Sequence, residues 1–262
     1  MRTVAIFIFD EVEVLDFAGP FEIFGVAGKQ VGEGHFEVFT VAEKSSISAR
    51  NNLIITPTYT FENCPVPDIL LIPGGGGFHA DGTPFGSRRE MHNQKLISWV
   101  QEMNQTGGEP QVELLLSVCT GSLILAKAGL LEGLSATTHF KAVEAMREAA
   151  PNTLLFPEKR WVDNGRIILS AGVSAGIDMS LYVVGKLHGE EVAKATAAYI
   201  QYDYYPSTPN PWRGIKNFYQ PQKILFQTFR TCLEFTIRLK NYIFHSLFAK
   251  ISWFSGAISS KF

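Results

Sequence analysis

Residues 112–131 read VELLLSVCTGSLILAKAGLL, and the fold turns on this stretch. Val112–Val118 is an apolar run of strand length, interrupted only by Glu113 and Ser117. Ser122–Leu131 has helix formers, with apolar residues at helical spacing. Cys119 sits at the joint, followed by Thr120 and Gly121, with no loop between strand and helix. A tight strand-to-helix turn lifts its side chain out of the sheet and faces it toward the first turn of the helix. The unpaired N–H groups and partial positive charge of that turn favour thiolate over thiol. This geometry points to a reactive sulfur with a lowered pKa. The residues also allow a small buried Cys that fills a gap in the core.

Outward from this stretch, strands alternate with helices. Thr3–Phe9 is a continuous apolar run, the signature of a strand buried on both faces. Phe36–Val41 and Asp68–Ile72 are further strands, the latter running directly into Pro73-Gly74-Gly75-Gly76-Gly77. The patterning predicts helices over Phe17–Ala27, with Pro20 near the first turn, and over Glu90–Asn104, stopped by Gly107-Gly108. It predicts others over Lys141–Ala149, Ala175–Leu187 and Glu190–Tyr204. Turn residues 50–52 and 163–165 mark two hairpins. The pattern predicts an α/β fold: a doubly wound, flavodoxin-like, mostly parallel sheet with helices on both faces and a nucleophile elbow at Cys119. Three loops of unusual composition, 10–20, 73–77 and 119–121, should meet at the carboxyl end of the sheet, where such folds bind ligands.

The chain has 262 residues, 46% apolar and 18% charged, with a formal net charge of −2. That balance gives no electrostatic case for nucleic acid. Cys64, Cys119 and Cys232 are far apart and odd in number, which fits a reducing cytoplasm better than a disulfide framework. No run of apolar residues is long enough to span a bilayer, and acidic residues soon follow the apolar N-terminal run, unlike a signal peptide. The expected location is therefore cytoplasmic. Residues 1–206 read as one domain, and 207–262 as a basic, aromatic-rich extension. Gln222–Phe262 holds six Lys or Arg against the single acid Glu234. The expectation is an extension packed on its own domain or on a partner, with a membrane-surface helix as the alternative.

The loops supply what a thiolate needs: a proton donor and a place for developing negative charge. The N–H groups of the Gly74–Gly77 run can form an anion-binding concavity, although a plain turn would also use glycine. Asp16 lies between Leu15 and Phe17, where desolvation would raise its pKa and keep it protonated. An N-cap is the alternative role for Asp16, and Glu22 is the competing acid. His139 lies 20 residues after Cys119 and could pair with it in space, or be a satisfied semi-buried His. Asp178, in the first turn of a helix, is most simply a dipole partner. No His/Cys/Asp cluster has metal-ligand spacing, and there is no dinucleotide fingerprint or phosphate loop with Lys. Neither metal nor cofactor is expected.

Five pieces occur together: LDFAGP at 15–20, IPGGGG at 72–77, SVCTGS at 117–122, ATTH at 136–139 and SAGID at 174–178. Together they resemble the ThiJ/PfpI superfamily, within the class I glutamine amidotransferase-like fold, over roughly residues 2–206. The Asp in LD-x-x-GP, with SVCTGS and ATTH, looks most like the isonitrile hydratases of that superfamily. The resemblance implies Cys-dependent hydration of a small-molecule isonitrile to an N-substituted formamide. Cys119, Asp16 and Thr120 would be catalytic, and Gly75, Gly76 and His139 would serve the oxyanion or bind substrate. It also implies a homodimer. Thr120 directly after the cysteine argues against the protease branch, which places His there. Two other readings follow from the same resemblance. One is a redox-sensing or stress-protective member in which Cys119 is oxidised. The other is the ligand-binding half of AraC-type regulators, whose paired helix-turn-helix units need on the order of 100 residues. Only 51 residues follow Pro211 here.

Overall fold

Apolar runs buried on both faces become the inner strands of one sheet. In the computed structural model, which describes residues 1–31, 34–106 and 108–204, the sheet contains β1 (Arg2–Phe7), β2 (Phe36–Ala42), β3 (Tyr59–Thr60) and β4 (Ile69–Ile72). It continues with β5 (Leu114–Val118), β6 (Trp161–Asp163) and β7 (Ile167–Ser170). The order is β6-β7-β5-β4-β1-β2-β3. β6 runs antiparallel to β7, and every other neighbouring pair is parallel. The register pairs Val4 with Ile69 and Leu115 with Leu70, so the most apolar residues share the centre. All of β4 and β5 is buried. Each fully buried aliphatic side chain there stabilises the fold by about 1.5–3 kcal/mol.

The helices are α1 (Val14–Val26), α2 (Ser87–Glu90), α3 (Gln94–Asn104), α4 (Gly121–Lys127), α5 (Val143–Ala149), α6 (Ala175–His188) and α7 (Glu190–Tyr199). α1, α6 and α7 pack together as one layer, and α3, α4 and α5 as the other. The chain winds from β1 outward to β2 and then returns across β1 to β4. The crevice at that reversal, at the carboxyl ends of β1 and β4, is where this topology places a ligand.

Several boundaries depart from the sequence expectation: β1 ends at Phe7 and α4 at Lys127, and three others have a visible local cause. α1 starts at Val14 instead of Phe17, which puts Pro20 inside the helix. Pro20 has no N–H to give the Asp16 carbonyl, and the helix tolerates this. The expected helix 90–104 starts only at Gln94, as α3, because Asn93 is its N-cap, with Oδ1 accepting from the N–H groups of Lys95 (3.1 Å) and Leu96 (3.3 Å). α7 stops at Tyr199 because Gln201 takes φ +54 and the Tyr202 N–H turns back to the Ala197 carbonyl (2.9 Å). The expected extension over 207–262 lies outside the described residues. Among the described residues, no helix is long and apolar enough to cross a membrane.

Candidate functional site

Four loops follow the carboxyl ends of β1, β4, β5 and β7, and all four reach Cys119. Cys119 directly follows β5 and has φ +59, a left-handed conformation uncommon outside glycine. Its N–H donates to the carbonyls of Ser170 (3.2 Å), the last residue of β7, and of Ala171 (3.0 Å) just after it. Its carbonyl accepts from the hydroxyls of Ser122 (3.0 Å) and Thr138 (3.0 Å), which lie 2.9 Å from each other. The strained backbone is therefore held from both sides, as a side chain aimed out of a sheet requires.

Asp16 is fully buried in the first turn of α1. Its Oδ2 accepts from the Gly74 N–H (3.0 Å), which joins the β1 loop to the glycine loop. Its Oδ1 has no hydrogen-bond partner among the described residues. Asp16 is not the N-cap; Glu13 holds that position without a side-chain cap. Gly74 can only be glycine here, because a Cβ would lie 2.5 Å from Thr120 N, 2.6 Å from Thr120 Oγ1 and 3.0 Å from Asp16 Oδ2. The glycine is what lets the carboxyl and the cysteine turn come together.

Burial sets the electrostatics. Desolvation pushes the Asp16 carboxyl up to about 7; Glu13 adds to the rise, while the Gly74 N–H and the Cys119 side chain pull down. Of the two sequence neighbours of Asp16, Phe17 is buried and Leu15 is 39% exposed. Cys119 is 5% exposed. Its thiol is held well above the ordinary value, first by burial and then by the Asp16 charge. The backbone N–H groups of Thr120 and Val173 are directed at the sulfur and pull the other way, but burial wins. This reverses the expectation of a resting thiolate. The helix N-terminus does act on the sulfur, but the depth of burial could not be read from the sequence.

Thr120 lies beside Cys119, and its Oγ1 accepts from the Gly75 N–H (3.0 Å). The Ser87 hydroxyl lies 2.7 Å from that same oxygen and 2.6 Å from the Gly75 carbonyl oxygen. The Gly75 N–H is thus satisfied by Thr120, a bond that ties the glycine loop to the cysteine turn. Gly76 opens a hairpin, Gly76–Phe78 against Pro84–Gly86, in which it sits opposite Gly86. The N–H groups that face the sulfur are those of Thr120 and Val173. Val173 takes φ +49, a rare conformation for a β-branched residue, and this orientation accompanies it. His139 reaches the same end of the sheet, where its ring fills the space above Gly172. Its Nδ1 accepts from the Lys141 N–H (3.2 Å). Burial lowers its pKa first, with Lys141 and Arg88 adding and Glu13 opposing.

Asp178 lies in the first turn of α6, as expected, and also forms a buried ion pair with Arg160 and accepts from the Tyr202 hydroxyl (2.9 Å). Glu22 is exposed, which removes it as the competing acid. Ser87, Arg88, Val173, Ser122 and Thr138 were missed as site residues. Ser122 and Thr138 lie within quoted motifs, but their target is a backbone carbonyl, which has no sequence signal. Among the described residues, no group of three or more His, Cys, Asp and Glu is placed to hold a metal ion.

The model of the DJ-1/PfpI family matches residues 2–186. An isonitrile hydratase of Pseudomonas putida is 30% identical over 207 residues, covering 79% of this chain and 80% of that protein. The HTH-type transcriptional regulator GbdR of Pseudomonas aeruginosa is 26% identical over 203 residues, covering 77% of this chain but only 51% of the regulator. A crystal structure of a ThiJ/PfpI family protein from Pseudomonas syringae superposes with a TM-score of 0.67 at 26% identity, covering 90% of this chain and 87% of that one. The chain belongs to the DJ-1/PfpI family.

Proposed function

We propose that the chain is a cysteine-dependent hydratase that converts an isonitrile, R–N≡C, to an N-substituted formamide. The observation that carries this reading is a fully buried Asp16 carboxyl, poised at about 7, beside the Cys119 thiol. A carboxyl with that pKa is near the optimum for moving protons at neutral pH. In its ionised form Asp16 takes the proton from the Cys119 thiol and delivers it to the terminal carbon of the isonitrile. The sulfur bonds to the same carbon, giving a thioimidate, Cys–S–CH=N–R. Asp16, ionised again, removes a proton from water as the water oxygen attacks that carbon, and the proton passes to nitrogen. The C–S bond then breaks, the hydroxyl proton returns through Asp16 to the sulfur, and R–NH–CHO leaves. The Thr120 and Val173 N–H groups stabilise the sulfur as it becomes negative. Thr120 Oγ1 and Ser87 hold the glycine loop against this turn.

The similarity to a Pseudomonas putida isonitrile hydratase over most of both chains supports the same reading. A peroxide sensor fits less well, because such cysteines have a low pKa and are accessible, and Cys119 is neither. The test is formation of formamide from cyclohexyl isocyanide by the purified protein. Turnover lost in Cys119→Ala supports the reading. Absence of Cys119-dependent turnover rejects it, and specific binding of duplex DNA would then favour a regulator's ligand-binding half. The proposal includes a cytoplasmic homodimer. On α1, Leu15 and Phe21 are 39% and 38% exposed, an apolar surface next to the site that a second copy could cover. A monomer by light scattering at micromolar concentration would remove the dimer.

A further inference from the structure

Arg88 has no role in the reaction above. Every other arginine among the described residues grips a carboxylate, an amide or a backbone carbonyl, as Arg89 does with Glu11 and Arg160 with Asp178. Arg88 is different. Its guanidinium lies over the Phe78 ring, 5.4 Å from the centroid, and has no hydrogen bond or ion pair among the described residues. Phe78 is 59% exposed, so this ring does not bury the cation.

The place of Arg88 is fixed by its neighbour. Ser87 lies 2.7 Å from Thr120 Oγ1, and Thr120 follows Cys119. α2 therefore carries a half-buried cation close enough to the site for its charge to be felt at His139 and for Cys119 to act on it. Burial weakens its hold on its proton, and charge on Cys119 or on the exposed Glu148 strengthens it. A guanidinium that has lost part of its water and is held by no hydrogen bond or ion pair is open to a planar, singly charged oxyanion, which its fork of donors fits.

We propose that Arg88 docks an anionic group of the substrate, so that the molecule hydrated at Cys119 is an isonitrile bearing a carboxylate. The identity of the substrate rests on the isonitrile reading above; the anion site itself does not. Two measurements on the full chain separate them. In the first, isocyanoacetate, 3-isocyanopropanoate and 4-isocyanobutanoate are each compared with a neutral alkyl isocyanide of matching length. The wild type should prefer the best acid in kcat/KM by about tenfold or more, the scale of one charge-assisted hydrogen bond. Arg88→Gln should erase that preference, and Arg88→Lys should keep part of it. Equal kcat/KM for acid and neutral compound in the wild type, or the same ratio in Arg88→Gln, overturns the proposal.

The second measurement needs no turnover. Alkylation of Cys119 by iodoacetate and by iodoacetamide is followed by peptide mass spectrometry. The iodoacetate-to-iodoacetamide rate ratio should fall about tenfold from the wild type to Arg88→Gln. An unchanged ratio overturns the anion site. Loss of the ratio in a protein that hydrates no isonitrile supports the anion site and overturns the substrate assignment. In the wild type alone, added salt should shrink both preferences, and salt-independent ratios overturn the proposal even if Arg88→Gln fails to fold.

Discussion

Replacing Asp16 by Asn should stabilise the protein above neutral pH while lowering its activity. Asp16 is fully buried, and its carboxyl is pushed up to about 7, chiefly by desolvation. An unfolded Asp titrates near about 3.9. Below about pH 4 the group is protonated in both states and adds no pH dependence. Between about pH 4 and 7 the unfolded chain releases the proton and the folded chain keeps it. Stability then falls by about 1.36 kcal/mol per pH unit. Over about three units the loss reaches roughly 4 kcal/mol, and it is complete above about pH 7. Asparagine has no proton to lose, and its Oδ1 can still accept from the Gly74 N–H, now at 3.0 Å from Asp16 Oδ2. The advantage of Asp16→Asn should be small at about pH 4 and grow to a few kcal/mol at about pH 8. Cys119 does not blur the comparison, because its thiol is held well above the ordinary value and stays protonated over this range. Urea unfolding of both proteins at a series of pH values measures the difference. A difference that does not change with pH, or a variant less stable than the wild type at about pH 8, refutes the reasoning.

The remaining expectations concern the scaffold of the site. Gly74→Ala places a Cβ 2.5 Å from Thr120 N, so it should cost about 1–3 kcal/mol and separate Asp16 from the cysteine turn; thermal melts and turnover should fall together. Ser122→Ala removes one of the two hydroxyls on the Cys119 carbonyl and should cost about 1 kcal/mol, with lower kcat and little change in KM. Asp178→Ala strands the buried Arg160 guanidinium and should destabilise by about 3–5 kcal/mol, read by urea unfolding.

Much of the fold was legible because burial on both faces writes itself into the chain. β4 is an uninterrupted apolar run and β5 is broken only by Ser117, the pattern of strands buried on both faces. Boundaries set by single hydrogen bonds were not legible. Asn93 restarts α3 through one side-chain oxygen, and nothing in 90–104 distinguishes it from a surface polar residue. Within the site, Cys119, Asp16 and the Gly74–Gly77 run stood out, because a lone Cys sits at a strand-to-helix joint, an acid lies between two apolar residues, and four glycines exceed what a turn needs. Arg88 and Val173 did not, since a surface Arg and a loop Val are ordinary residues, and their place depends on how two loops fold over the cysteine. The direction of the Cys119 shift was misread for a related reason. A helix N-terminus is visible in sequence, but the depth of burial that outweighs it is a property of the packed loops.

The central claim is that Asp16 and Cys119 act as one proton-transfer pair on an isonitrile. It is tested most directly by the pH dependence of kcat/KM for hydration of cyclohexyl isocyanide, with Asp16→Asn measured alongside. The expected profile rises as Asp16 ionises, with its midpoint at about 7, because the carboxylate must accept the thiol proton. Asp16→Asn should lose that limb and fall by about a hundred- to ten-thousand-fold. A profile that instead rises only with ionisation of the thiol, and is the same in Asp16→Asn, would contradict the claim, as would the absence of Cys119-dependent formamide at every pH.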